Sequence, residues 1–286
     1  MCAVSLPSPP HTHVCMCSCY VLAAFQSIKL FDEKMRSPTA LKKLAGTIVS
    51  IYDGVRSRFS VDEQRHYLFT PRDLTSFVVS LLRYRVDSEP LLDIVAYEAQ
   101  RHFRDRLVSS DAETRFDSLL VATLRKDWDY RVPSEAQFFS VVARAPGGAA
   151  TRGSSEGKDA QRELGGSVME RLAQRDFLAV VNAAKVRFER EERELHMCLF
   201  PEVLDHIVRV ERVISRPCGS LLLVGRSGVG RRTATMLVAY MQNMRFSSPY
   251  VMKGYGLKNF FADLKAVMQI AGVEGEQVCR VYCSPR

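Results

Sequence analysis

The sequence predicts an α-helical region followed by the opening of a partial α/β module built on a phosphate-binding loop. Three observations carry that expectation. The run Gly225-Arg226-Ser227-Gly228-Val229-Gly230-Arg231-Arg232 stands between a short apolar stretch and a helical pattern, where a strand-to-helix phosphate loop belongs. Upstream, apolar side chains recur at helical spacing over three successive stretches. Between the two compositions, residues 143–167 hold Pro146, six glycines and several small polar residues. With 286 residues, 47% of them hydrophobic and 25% charged, the chain has material for one large or two modest globular domains.

Residues 1–28 contain no Lys, Arg, Asp or Glu, and charge becomes dense from Lys29 onward. A secretory signal needs a basic segment ahead of its apolar one, and none precedes Val14 to Phe25. That stretch is also too short and too rich in Cys and Ser to span a bilayer. His11, His13, Cys15, Cys17 and Cys19 alternate, which is not the spacing of zinc ligands, so no metal site is expected. Residues 1–28 read as a disordered leader. Four of the eight cysteines, Cys198, Cys218, Cys279 and Cys283, are scattered without a framework, as in a reduced cytosolic chain.

Residues 29–142 form the helical region. Leu41, Leu44, Ile48, Ile51, Tyr52 and Val55 make one stripe between Ala40 and Arg58. Thr70-Pro71-Arg72-Asp73 is a helix start, with Thr70 as N-cap, Pro at the first helical position and Asp73 reaching back in a capping box. Leu74, Phe77, Val78, Leu81 and Leu82 continue it. A third helix begins after Pro90 and carries Leu91, Ile94, Val95, Glu98, Arg101, Phe103 and Leu107. Glu98 and Arg101, three apart, read as an ordinary surface pair, and Trp128 reads as core.

After the connector, residues 168–286 begin the α/β module. Val168 to Glu194 reads as one long charged helix and Phe200 to Ser215 as another, with His206 a packed or half-exposed helical residue. Ser220 to Val224 reads as a short buried strand and Thr233 to Met241 as the helix after the loop. Gly225, Gly228 and Gly230 allow backbone N–H groups to face phosphate at a helix N-terminus. The pattern then requires Lys and a hydroxyl, but positions 231 and 232 are both Arg. A guanidinium is planar and wider than an ammonium, and at position 232 it repels the Mg²⁺ whose ligand it replaces. Thr233 is ~100° further round the helix. ATP or ADP is therefore expected to bind weakly and Mg²⁺ binding is doubtful.

An ATPase also needs a strand ending in acidic residues to hold Mg²⁺ and polarise water. After Thr233 the carboxylates are Asp263, Glu274 and Glu276. Asp263 lies in the amphipathic run Leu257, Phe260, Phe261, Leu264, Val267, Met268, and the glutamates lie in a turn with Gly272 and Gly275. A strand begins at Gln277-Val278-Cys279, and the module reads as truncated before the acidic strand, a piece of something larger. No catalytic residue is expected in the chain, which alone should have no ATPase activity. The net charge of +8 is spread among acids, so nucleic acid is not an expected partner, nor is a membrane.

Four segments resemble a known family. His66-Tyr67-Leu68-Phe69-Thr70-Pro71-Arg72-Asp73-Leu74, the Glu98-x-x-Arg101-x-Phe103-x-Asp105-Arg106-Leu107 helix, Leu199 to Ile207 with Arg209 and Arg212, and Gly219 to Gly225 follow one another as in dynein heavy chains. There they run from the lid of the third AAA+ module into the fourth. The resemblance covers roughly Leu30 to Val281, and residues 1–28 match nothing in it. The doubly substituted loop, Gly225, Arg226, Ser227, Gly228, Val229, Gly230, Arg231, Arg232, Thr233, resembles that of the cytoplasmic dynein 2 type, the retrograde motor of intraflagellar transport. The cytoplasmic dynein 1 type keeps Lys and Thr there.

The resemblance implies an AAA+ fold and, for the parent motor, ATP-driven minus-end-directed movement on microtubules. Intermediate and light chains are its implied partners, and cytoplasm, cytoskeleton and cilium or flagellum its implied location. Residues 225–233 become the nucleotide-facing set of the fourth module, and Arg72 the lid arginine that reaches phosphates of the third. Without the resemblance, Arg72 is a surface arginine in a helix's first turn, where a cation is mildly unfavourable. Pro201 departs from the family, which has a polar residue beside the adenine pocket. Two other readings are a stand-alone scaffolding protein on an inactive P-loop fold and a basic nucleic-acid-binding P-loop protein, the latter expected to show only weak, nonspecific association.

Overall fold

The computed structural model describes residues 21, 38–84, 90–133, 137–141, 167–216, 219–226, 228–249 and 254–282. The expected leader, apart from Val21, and the expected connector, apart from Ser167, lie outside the described residues. Two compact units result: Met1–Ala136 with Ser155–Val168, and Gln137–Ser154 with Met169–Arg286.

The first unit is helical. Helix α1 (Pro38–Arg58) buries the predicted stripe, from Leu41 to Val55, with every member at most 7% exposed. Helix α2 (Pro71–Ser80) starts at Thr70 and buries Leu74, Phe77 and Val78. Helix α3 (Leu91–His102) ends sooner than the apolar pattern suggests, and a 3₁₀ turn at Arg104–Arg106 carries the chain to Leu107. The sequence reading did not single out α4 (Ser110–Trp128). Its start signal is plain: the Ser109 hydroxyl accepts from the Ala112 N–H at 3.1 Å, with Asp111 and Glu113 in the first turn. Asp129 closes it in a left-handed conformation (φ 51°).

Phe103 organises the core of this unit. Its fully buried ring lies 6.0 Å from Phe69, 5.7 Å from Phe77 and 6.5 Å from Phe116, joining the segment before α2, α2 itself and α4. Each such phenylalanine contributes ~1.5–3 kcal/mol by leaving water. Helices α1 and α4 pack against each other. Trp128 is half-buried rather than core. Its Nε1 donates to Thr47 Oγ1 at 2.9 Å while the Lys43 ammonium sits 4.6 Å above the ring, so the indole keeps a polar edge near water.

Glu98 and Arg101 do not form a surface pair. Glu98 is fully buried, accepts from the Tyr84 hydroxyl at 2.5 Å, and lies 3.3 Å from His102 Nε2. Arg101 reaches Asp105 instead, at 3.3 Å. A charge near helix spacing says nothing about which face the helix buries, and here Glu98 shares the face of Ile94 and Val95.

The second unit opens with strand β1 (Phe138–Ser140), which pairs antiparallel with β2 (Glu170–Leu172), Phe138 opposite Leu172. Both outcomes differ from the sequence reading: the helical region was expected to run to 142, and a single helix was expected from Val168. The helix, α5, spans Gln174–Glu191. Local pattern favours helix through residues 168–173, but the ladder to β1 supplies the backbone bonds, an override of propensity by tertiary pairing.

Helices α6 (Pro201–Ile214) and α7 (Arg231–Met241) pack on one another around Leu204, Ile207, Val208, Leu237 and Val238, all buried, while Phe138 stacks on Phe177 at 5.7 Å. His206 faces solvent. Fully buried Glu211 joins β1 to both helices: its Oε1 accepts from Ser140 Oγ (3.1 Å), Val141 N–H (3.2 Å) and Gln242 Nε2 (2.9 Å). Strand β3 (Arg245–Ser247) runs parallel to β4 (Val278–Arg280), with α8 (Leu257–Gly272) between them in sequence. Strand β4 and α8 stand where the sequence reading puts them.

The expected strand at Ser220–Val224 has no regular secondary structure and no strand partner among the described residues, and it is not buried: Leu222 is 86% and Val224 85% exposed. An apolar run becomes a parallel strand only when neighbours bond its edges and cover its faces. Here β3 and β4 pair with each other and leave residues 220–224 outside their ladder. No helix among the described residues is long and apolar enough to cross a membrane.

Candidate nucleotide site

The loop is shaped by two glycines. Gly228 (φ 87°) and Gly230 (φ 78°) occupy left-handed backbone, which L-side chains rarely adopt, and Gly230 is the N-cap of α7. The Ala234 N–H bonds the Gly230 carbonyl at 2.8 Å, so the helix begins directly out of the turn. Ser227 lies outside the described residues. Gly225, Arg226, Val229 and Gly230 form the rest of the loop, with Thr233 half-buried in the first turn of α7.

Arg231 turns back onto this loop. Its Nη1 donates to the Leu223 carbonyl and its Nη2 to the Arg226 carbonyl, each at 3.1 Å. A Cβ on Gly225 would lie 3.9 Å from Arg231 Cδ, which places the arginine stem against the first glycine. Arg232 is exposed, with no hydrogen bond or ion pair to a described residue. The first turn of α7 contains no acidic residue. Arg231 is bonded to two backbone carbonyls and the residue at 232 is a cation, so the side chains present do not supply the lysine and hydroxyl that a Mg²⁺–triphosphate site uses. Among the described residues no group of His, Cys, Asp and Glu could hold a metal ion.

Asp263 lies in α8, as expected, and accepts from the Tyr255 hydroxyl, a bond that holds the phenol's pKa above its ordinary value. It is thus engaged within its own unit. Cys279 on β4 is a free thiol whose pKa burial raises, which makes it a poor nucleophile. Pro201 is the first residue of α6 and is exposed, a position where its missing N–H costs nothing.

In the first unit, Arg72 is exposed at the second position of α2, with no hydrogen bond or ion pair to a described residue. Asp73 beside it is fully engaged: Oδ2 accepts from the Thr70 N–H (2.7 Å) and hydroxyl (2.9 Å), and Oδ1 accepts from Arg106 Nη1 at 2.9 Å. Arg106 Nη2 also donates to the carbonyls of His66 (3.2 Å) and Leu68 (3.0 Å). The sequence reading recognised both segments without seeing that they touch. The bonded residues lie 33 to 40 positions apart in the sequence, and the contact of Phe103 with Phe69 is part of the packing that joins them.

A helical unit followed in the chain by a glycine-turned loop that opens a helix defines the class: a P-loop module preceded by a helical region. Two family models match it in order: the dynein heavy chain ATPase lid domain over residues 20–113, and the P-loop containing dynein motor region D4 over residues 195–283. The chain is 48% identical over 250 residues to cytoplasmic dynein 2 heavy chain 1 of Tripneustes gratilla, 39% over 252 residues to that of Homo sapiens and 38% over 247 residues to that of Chlamydomonas reinhardtii. Each match covers 85% of this chain and 5–6% of the relative. The chain belongs to the dynein heavy chain family, and its resemblance is to the cytoplasmic dynein 2 type. The lid match begins at residue 20, within the expected leader and ahead of the Leu30 at which the resemblance was read to start.

Proposed function

We propose that this chain supplies a lid and the N-terminal part of a degenerate, non-hydrolytic fourth AAA+ module to a motor that moves toward microtubule minus ends and serves retrograde intraflagellar transport in the cytoplasm and cilium. The observation that carries the non-hydrolytic module is Arg231 bonded to Leu223 and Arg226. A loop lysine donates its charge outward to the β/γ-phosphates. Arg231 satisfies the loop's own carbonyls instead, so a nucleotide must displace two hydrogen bonds to reach that charge, each worth ~0.5–1.5 kcal/mol. Arg232 then repels any divalent ion that arrives with it.

In this reading the module has no hydrolytic cycle of its own, ATP or ADP binds weakly, and Mg²⁺ does not settle there. Arg72 contributes to the preceding, third module, its side chain meeting phosphate oxygens together with the positive end of α2. Microtubules and the intermediate and light chains are partners of the whole motor.

The test uses the full-length heavy chain. Changing Arg231→Lys with Arg232→Thr is expected to raise Mg²⁺–ATP affinity at the fourth module by roughly tenfold or more, the equivalent of ~1.4 kcal/mol, in calorimetric titration. Tight Mg²⁺–ATP binding by the unaltered loop would sink the reading.

A further inference from the structure

We infer that Arg106 is a positioning residue that holds the segment 66–73 so that Arg72 is presented to an anionic ligand. The inference rests on the reading of Arg72 as a phosphate contact. Three acceptors spread along that segment converge on one guanidinium: the His66 carbonyl, the Leu68 carbonyl and Asp73 Oδ1. The planar fork of Arg can meet them together, and the single ammonium of Lys cannot. The guanidinium also lies 4.7 Å above the ring of Phe69, and Phe69 is itself wedged against Phe103. In return, His66 Nε2 and the Arg106 carbonyl lie 3.0 Å apart, and the Val108 N–H donates to the Tyr67 hydroxyl at 3.1 Å.

Energy alone does not explain this arrangement. The Arg106 and Asp73 side chains are 32% and 27% exposed, so their ion pair is screened and contributes little to stability. Its geometric effect is larger. Asp73 is simultaneously the residue that fixes the first turn of α2 through the Thr70 N–H, and Arg72 lies between those two residues in the chain. Tying Asp73 from one side to Thr70 and from the other to Arg106 fixes the backbone on which Arg72 is carried. Arg72 is left free of partners among the described residues, a cation at the positive end of a helix, and an anion is what that combination lacks.

The experiment uses the full-length heavy chain and reads modification of Arg72 by phenylglyoxal, followed by peptide mass spectrometry with and without ADP. Protection of Arg72 by ADP is expected in the unaltered protein. It should fall roughly tenfold in Arg106→Ala, the scale on which a small misplacement weakens an oriented contact. Arg106→Lys should fall between the two, because Lys keeps the charge but cannot span three acceptors. Should Arg106→Ala fail to fold, Asp73→Asn keeps an acceptor for Thr70 and loses the ion pair, and it should show partial loss of protection. ADP protection of Arg72 that is unchanged in Arg106→Ala and Asp73→Asn overturns the positioning role and leaves the phosphate contact standing. No protection in the unaltered protein overturns both.

Discussion

Arg231 shows how one side chain changes what a loop can do without changing its path. Gly228 and Gly230 still take the left-handed angles that a phosphate loop needs, yet the guanidinium answers two carbonyls of the same loop. Arg231→Ala should leave those carbonyls to water and quicken amide exchange across residues 223–232, by roughly tenfold for each 1.4 kcal/mol of lost bonding. Exchange mass spectrometry reads this directly, and unchanged rates would show that the loop does not depend on the arginine. At Glu98 the dependence runs inward. Tyr84→Phe removes a hydroxyl donor from a fully buried carboxylate and should cost about 1–3 kcal/mol in urea unfolding, far more than the surface pairing first expected of Glu98.

Between α6 and the loop, the chain is constrained at Gly219. A Cβ on Gly219 would lie 2.0 Å from the Val213 carbonyl oxygen, so Gly219→Ala must move backbone between α6 and residues 220–224. The expected cost is about 1–3 kcal/mol, read as a lowered melting temperature, since overpacking against backbone has no flexible atom to absorb it. Helices α5 and α7 are joined near their C-terminal ends by Tyr240, whose hydroxyl donates to Glu191 and whose pKa is raised chiefly by that bond. The native state holds the phenol's proton, so the contribution is complete below the ordinary tyrosine value and is lost as pH rises through the higher folded one. Tyr240→Phe should therefore be destabilised at pH 7–9 by ~0.5–1.5 kcal/mol, and the difference from the unaltered chain should shrink in alkali. A difference that grows with pH would contradict the assignment.

For the whole molecule, the two units each have a core of their own, one around Phe103 and the other around Leu204, Ile207 and Leu237. Two cores predict two calorimetric transitions, and one cooperative transition would contradict that expectation. Helices α1, α2, α6 and α7 were legible because their apolar residues repeat at 3.6 and because Thr70 and Pro71 mark the start of α2, although α7 begins at Arg231, two residues before the Thr233 at which it was read to start. The β1–β2 pair was not legible. Three-residue strands leave too little period to detect, and their partners are thirty residues apart in the chain. The apolar run at 220–224 was misread as buried for the related reason that hydrophobicity does not reveal whether a strand has neighbours.

The amino-acid order alone determined the family, the glycine turn, the two arginines in place of lysine and hydroxyl, and the capped helix that carries Arg72, because each is a property of residues adjacent in the chain. The tertiary structure decided where the charges go. It turned Arg231 onto Leu223 and Arg226, buried Glu98 beneath Tyr84, and brought Arg106 to Asp73 across more than thirty residues. Those outcomes depend on which faces pack and which acceptors come within hydrogen-bonding reach, and no local pattern encodes that distance.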